Sequence, residues 1–315
     1  MTAQKMLRLR RVALALVLPV TLLGAVTACS TSTAPEAAPA ASPAASAPAT
    51  SLAPTDPASA APAAGLHLIT HSGHRLAFHV TPGHPPTLVL DAGGGEDSSY
   101  WNALVPQLSR TTGSQIITYD RAGMGASDEV SGPWNPRRAA PGLQAGLQEL
   151  GVTRDAVLVS HSQAGELATY LARANPGLLS GAVLLDANVP QFFTDTQNQR
   201  VIALTTPQIE ALTRQPSTKA NRQLIATAED FGPTHRAYHE ISWPDSVPVS
   251  YAVSATTPFD GSPQDAQRWR DAAAAFVAAG PDRTLITAHG SSHDVPGDKP
   301  ALVLEEIEKM IAMAN

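Results

Sequence analysis

From residue 66 onward, short uninterrupted apolar runs alternate with stretches of helical spacing. Residues 66–70 and 76–80 flank a His-Ser-Gly-His turn and read as a strand hairpin. Residues 87–91, 115–119, 156–160 and 182–186 are apolar almost throughout and too short for helices, the signature of strands buried on both faces. Between them the spacing predicts a helix around 100–110, one over 143–150 carried by Leu143, Leu147 and Leu150, and one over 166–174. After Asn188 the rhythm breaks for roughly 55 residues of polar, helix-compatible sequence. It resumes with a strand at 247–253, a helix at 266–279, a strand at 284–288 and a final helix at 301–312. This alternation predicts an α/β fold, a mostly parallel sheet of about eight strands with helices on both faces. In such open sheets chemistry gathers at the carboxyl ends of the strands.

The residues before this pattern differ in kind. Lys5, Arg8, Arg10 and Arg11 precede an apolar run over 12–28 that Pro19 interrupts, short for a membrane span and of the form of an export signal. It ends in Val26-Thr27-Ala28-Cys29, which resembles the lipobox of bacterial lipoproteins, where small residues precede a cysteine that is lipidated and becomes the new N-terminus. An ordinary signal peptide cut after an alanine is the alternative. Residues 31–64 are almost entirely Ala, Pro, Ser and Thr, too poor in apolar surface to offset their ordering entropy, and read as an extended tether. A length of 315 suggests two domains. The pattern instead divides the chain into a signal peptide (1–28), a lipidated Cys29 with its tether (29–65) and one folded domain (66–315). The expected location is the cell surface or the periplasmic face of a bacterial membrane, with secretion as the alternative.

Composition narrows the function. A single cysteine excludes an intramolecular disulfide framework and any Cys-clustered metal site. The formal net charge is −6, and loss of residues 1–28, with four basic residues and no acid, lowers it to −10. No basic surplus is left for nucleic acid or anionic lipid, so no nucleic-acid partner is expected and membrane contact falls to the lipid anchor alone.

The chemistry begins at Ser160-His161-Ser162-Gln163-Ala164-Gly165, after the strand at 156–160. A serine becomes a nucleophile when a sharp strand-to-helix turn exposes it beside a base, and that turn needs small residues two before and two after. Ser160 and Ala164 meet the need, although the usual glycines are missing. A helix N-cap is the structural alternative for Ser162. Past the last strand lies Gly290-Ser291-Ser292-His293-Asp294, where His293 suits the base; His289, at the strand end itself, competes with less freedom of direction.

From residue 66 to 315 the chain resembles an α/β-hydrolase of the esterase, epoxide hydrolase and haloalkane dehalogenase branch. Four segments carry the resemblance: Leu88 to Gly95 with Trp101, Tyr119 to Asp128, Val157 to Gly165, and Ser292 to Pro300. The resemblance implies an oxyanion hole from two backbone N–H groups, that of Gln163 and that of Gly94, with Gly93 and Gly95 open as donors. It implies an acid that orients His293: Asp186, or Asp260 in the commoner family region, with Asp265 behind them. The segment at 119–128 is a structural turn in such proteins. A serine nucleophile separates this chain from epoxide hydrolases and haloalkane dehalogenases, which attack with aspartate, and points to acyl transfer on a small-molecule substrate.

The expectation is a serine hydrolase of carboxylesterase type with no cofactor and no metal. Peptidase, thioesterase and cofactor-free haloperoxidase activities stay open because fold does not fix function. A non-catalytic lipoprotein that binds a ligand is the rival of another class; the paired survival of Ser162 and His293 speaks against it. Residues 189–245 fall where this fold inserts a helical lid, and Phe192, Phe193, Phe231, Tyr238 and Trp243 either line its pocket or pack it against the sheet. His235 and His239 at i, i+4 lack the glutamate of a zinc motif and read as a polar face of that lid. The oligomeric state is open.

Overall fold

The computed structural model describes residues 62–259 and 261–314. The signal segment, Cys29, most of the tether and Asp260 lie outside the described residues. An N-terminal hairpin, β1 (Gly65–His71) and β2 (His74–Thr81), leads into β3 (His84–Asp91). A helix α1 (Val105–Thr112), β4 (Ser114–Asp120), α2 (Pro136–Glu149), β5 (Ala156–His161), α3 (Ala164–Ala174) and β6 (Leu179–Leu185) follow. Three helices, α4 (Asp195–Leu212), α5 (Lys219–Glu229) and α6 (Phe231–His239), separate β6 from β7 (Val249–Ser254). The chain closes with α7 (Pro263–Ala278), β8 (Arg283–Ala288), the short α8 (Val295–Asp298) and α9 (Pro300–Ala314).

The eight strands form one sheet in the order β1-β2-β4-β3-β5-β6-β7-β8. β1, β2 and β4 pair antiparallel, and from β4 to β8 every neighbour is parallel. The apolar runs are continuous because alternate residues enter different cores. Leu88, Leu90, Val157 and Val159 meet α1 and α9 through Leu108, Val303 and Ile307. Val89 and Leu158 face the other way, onto Leu143, Leu147 and Leu167 of α2 and α3. Parallel strands need helices on both faces for this reason.

Two elements differ from expectation. The helix expected from 143 begins at Pro136, with Asn135 accepting a hydrogen bond from the Arg137 N–H as its cap; Pro136 suits a first turn, and Pro141 inside it hid the pattern. The stretch around 100–110 splits into a 3-10 turn, Ser98–Trp101, and α1.

Candidate active site

The strand ends after β3, β5, β6 and β8 converge on one edge of the sheet. Ser162 occupies the turn between β5 and α3 with φ of +54°, a left-handed conformation costly for a residue with a Cβ. The turn survives because its surroundings are small. Ser160 and Ala164 are buried, and a Cβ on Gly165 would stand 2.3 Å from the Asn188 carbonyl oxygen, so only glycine lets α3 approach the chain after β6 this closely. Asn188 N–H donates to the Ser162 carbonyl at 2.8 Å and closes the turn.

His293 stands in the loop between β8 and α8. Its Nε2 is 2.9 Å from Ser162 Oγ and its Nδ1 is 2.6 Å from Asp186 Oδ2. Asp186 follows β6 at φ of +46° and is fully buried. Its Oδ1 accepts from the Ser254 N–H at 2.9 Å and from the Trp269 indole at 2.8 Å, and its Oδ2 accepts from the Ser254 hydroxyl at 2.6 Å. Burial pushes this carboxyl up, but the hydrogen bond and charge of His293 and the two donors of Ser254 bring it below the ordinary aspartate value. An ionised Asp186 takes the Nδ1 proton as its donor, which leaves Nε2 free to accept from the Ser162 hydroxyl.

Two of the competing residues, His289 and Asp265, are engaged elsewhere or exposed. His289 is exposed, one residue beyond β8. Asp265 is bound to Arg200 of α4 at 2.6 Å, which ties α4 to the start of α7, and to Arg268 one turn along α7 at 3.0 Å. Asp260 is outside the described residues.

The loop after β3 brings Gly93 against Ser162: a Cβ on Gly93 would lie 3.4 Å from Ser162 Cβ and 2.8 Å from Glu96 Oε2. Gly93 N–H donates to Glu96 Oε2 at 2.9 Å. Among the described residues, the N–H groups of Gly94, Gly95 and Gln163 have no hydrogen-bond acceptor.

Several neighbours carry no signal in sequence. Ser254 ends β7 and Trp269 lies in α7, and only the fold aims them at Asp186. His161 is buried beside His293 and donates from Nε2 to the His293 carbonyl at 3.0 Å. Burial opposes a charge on His161, yet the Glu96 carboxylate, 3.7 Å from its Nδ1, the His293 carbonyl and Asp294 raise its pKa above the ordinary histidine value. Tyr100 stacks on His161 and donates to Asp294 at 2.6 Å.

A cavity of about 190 Å³ opens between α4 and α5 on one side and Gly95, Arg121, Trp134 and Gln163 on the other. Ile202, Thr205, Ile209, Leu224 and Thr227 supply its wall from the helices. Of the five aromatics named above, only Phe231 reaches it; Phe192, Phe193, Tyr238 and Trp243 are buried in the core cluster that joins the inserted helices to the sheet. The polar-face reading of His235 is corrected as well. His235 is buried, donates from Nε2 to Glu166 at 2.9 Å and stacks on Phe231, because the first turn of α3 carries a buried carboxylate that needs a donor. His239 bonds the Pro190 carbonyl at 2.7 Å. Among the described residues no group of three or more His, Cys, Asp or Glu could hold a metal ion.

Known proteins match this architecture. The chain is 39% identical over 79 residues, 25% of its own length, to the non-heme chloroperoxidase of Streptomyces lividans, and the match spans 28% of that relative. The esterase EaEST from Exiguobacterium antarcticum superposes with a TM-score of 0.59 at 15% identity, covering 79% of this chain and 100% of the esterase. A thermophilic esterase from Thermogutta terrifontis superposes with a TM-score of 0.55 at 21% identity, covering 79% of this chain and 97% of that one. At these identities the structures speak for the fold alone. Residues 88–306 match the model of the alpha/beta hydrolase family, and the chain belongs to that family.

Proposed function

We propose that the protein is a serine hydrolase that cleaves small carboxylic esters through an acyl-enzyme. One observation carries the reading: Asp186, His293 and Ser162 form a single hydrogen-bonded line at 2.6 and 2.9 Å. Ser162 Oγ attacks the ester carbonyl while His293 Nε2 takes its proton, and ionised Asp186 stabilises the resulting imidazolium. The negative charge on the carbonyl oxygen is met by the N–H groups of Gly94 and Gln163, a donor of this kind being worth about 3–4 kcal/mol. The intermediate collapses, the alcohol leaves with the proton from His293, and the acyl group stays on Ser162. Water, deprotonated by His293, then attacks the acyl carbonyl, and the carboxylic acid departs as Ser162 regains its proton. The cavity under α4 and α5 supports a lid that holds one arm of the ester in a mostly apolar slot.

A fluorophosphonate probe tests the nucleophile. Wild type should label and Ser162→Ala should not; equal labelling of the two would leave a ligand-binding protein as the better account. The partial similarity to the chloroperoxidase favours one second reading, a halogenating activity at the same site, which a peroxide- and halide-dependent bromination assay distinguishes from ester cleavage.

The N-terminal sequence supports export and lipidation at Cys29. The mass of the mature protein should correspond to a lipidated chain beginning at Cys29; any other N-terminus overturns this.

A further inference from the structure

Arg121 belongs to the segment 119–128, to which the proposed mechanism gives no part. It follows β4, is only 4% exposed, and lies 5.5 Å from the ring centre of Trp134. Asp91 Oδ1, 3.4 Å from Nη1, supplies the counter-charge. Its two terminal nitrogens donate to adjacent backbone carbonyls of the loop after β3, Nη1 to Ala92 at 2.8 Å and Nη2 to Gly93.

A trans peptide is planar, so its N–H points opposite to its C=O. A carbonyl held by Arg121 therefore fixes the direction of the next residue's N–H. The first peptide obeys this: with the Ala92 carbonyl on Arg121, the Gly93 N–H is on the far side, on the Glu96 carboxylate that neighbours His161. By the same geometry the Gly93 carbonyl, held by the other arm and by the Glu96 N–H at 3.3 Å, turns the Gly94 N–H away from Arg121.

We infer that Arg121 is a positioning residue of the oxyanion site, its two-armed guanidinium setting the peptides of Ala92 and Gly93 so that the Gly94 N–H faces the reacting carbonyl. The inference rests on the serine-hydrolase reading; Gly93 already donates to Glu96, and of Gly94 and Gly95 it takes Gly94, whose N–H belongs to the peptide that Arg121 holds by the Gly93 carbonyl. The role is specific to arginine. A lysine would keep the charge beside Asp91 but offers one ammonium where two parallel donors are needed.

Arg121→Lys in the full chain tests it. With p-nitrophenyl acetate the variant should lose kcat by about 10²–10³-fold, the range expected when one oxyanion donor is lost. KM should stay within about threefold, and the pH midpoint of kcat/KM, set by the Ser162–His293 pair, should not move. A kcat within threefold of wild type overturns the inference, and so does a raised KM at unchanged kcat, which would make Arg121 a substrate contact. Should Arg121→Lys fail to fold, wild type itself decides: when an arylboronic acid adds to Ser162, the amide proton resonances of Gly94 and Gln163 should move downfield, and movement at Gly93 or Gly95 in place of Gly94 refutes the assignment. If wild type neither hydrolyses the ester nor binds the boronic acid, the hydrolase reading falls and the inference with it. If wild type does both and Arg121→Lys is equally fast, only the positioning role falls.

Discussion

Asp186 shows how much a single side chain depends on what surrounds it. Alone, a buried carboxylate would be driven toward its neutral form; with Ser254, Trp269 and His293 as donors it is held as an anion. Asp186→Asn should lower kcat by about 10³–10⁴-fold, because an amide favours the wrong tautomer of His293. Trp269 and Ser254 can still bond an amide, so the melting temperature should move by only a few degrees; steady-state kinetics beside thermal unfolding checks both. The pH dependence has a definite sign. A carboxyl whose folded pKa lies below its ordinary value contributes stability that is complete above about pH 4 and drains as pH falls through the folded value. In sequence, Ser162 and His293 were legible because each sits in a motif of fixed spacing. The partner of His293 was not, since Asp186 and Asp260 both follow apolar strand runs in the sequence, and only the folded chain shows Asp186 on His293 Nδ1.

At the scale of elements, the first inserted helix, α4, has the weakest apolar pattern. α4 buries Val201 and Thr205 yet leaves Ile202 and Leu204 about 40% exposed or more, so its apolar positions form no clean stripe, and the segment read only as helix-compatible. The aromatics split: Phe192, Phe193, Tyr238 and Trp243 pack the insertion onto the sheet, while Phe231 joins Trp134 and the Ile, Leu and Thr side chains of α4 and α5 at the cavity wall. Residue type alone does not tell a packing aromatic from a pocket aromatic, because both are apolar and both avoid water. The cavity of about 190 Å³ should therefore set acyl-chain preference. Thr227→Trp, which fills it from α5, should leave p-nitrophenyl acetate turnover within about threefold while reducing the hexanoate ester more than tenfold, each methylene being worth about 1–3 kcal/mol in such a slot. Equal losses on both esters would show that the substrate does not use this cavity.

For the whole molecule, the balance of stability with pH follows from the buried charge at the head of the sheet. Burial pushes Asp91 up to about 6 against the opposing charge of Arg121. A carboxyl with a raised folded pKa favours the folded state fully below about pH 4 and loses that contribution as pH rises through 6. Asp186 acts in the opposite sense and below this window, and comparison with Asp91→Asn removes the other groups that titrate between pH 4 and 7. Wild type should lose on the order of 1–3 kcal/mol across that range relative to Asp91→Asn, measured as urea unfolding at pH 4 and pH 7; parallel curves would remove Asp91 as the source.

The sequence by itself determined the layered α/β architecture, the serine at the turn and the histidine after the last strand. Each of these is written in local order: apolar runs of strand length, small residues around Ser162, a loop of fixed place for His293. Only the tertiary structure decided which aspartate meets His293, that Trp269 and Ser254 hold it, that His235 is buried against Glu166, and that Arg121 grips the loop of Gly93. Those contacts join residues 28 to 107 positions apart, and their geometry is fixed by strand order in the sheet, which no local pattern records.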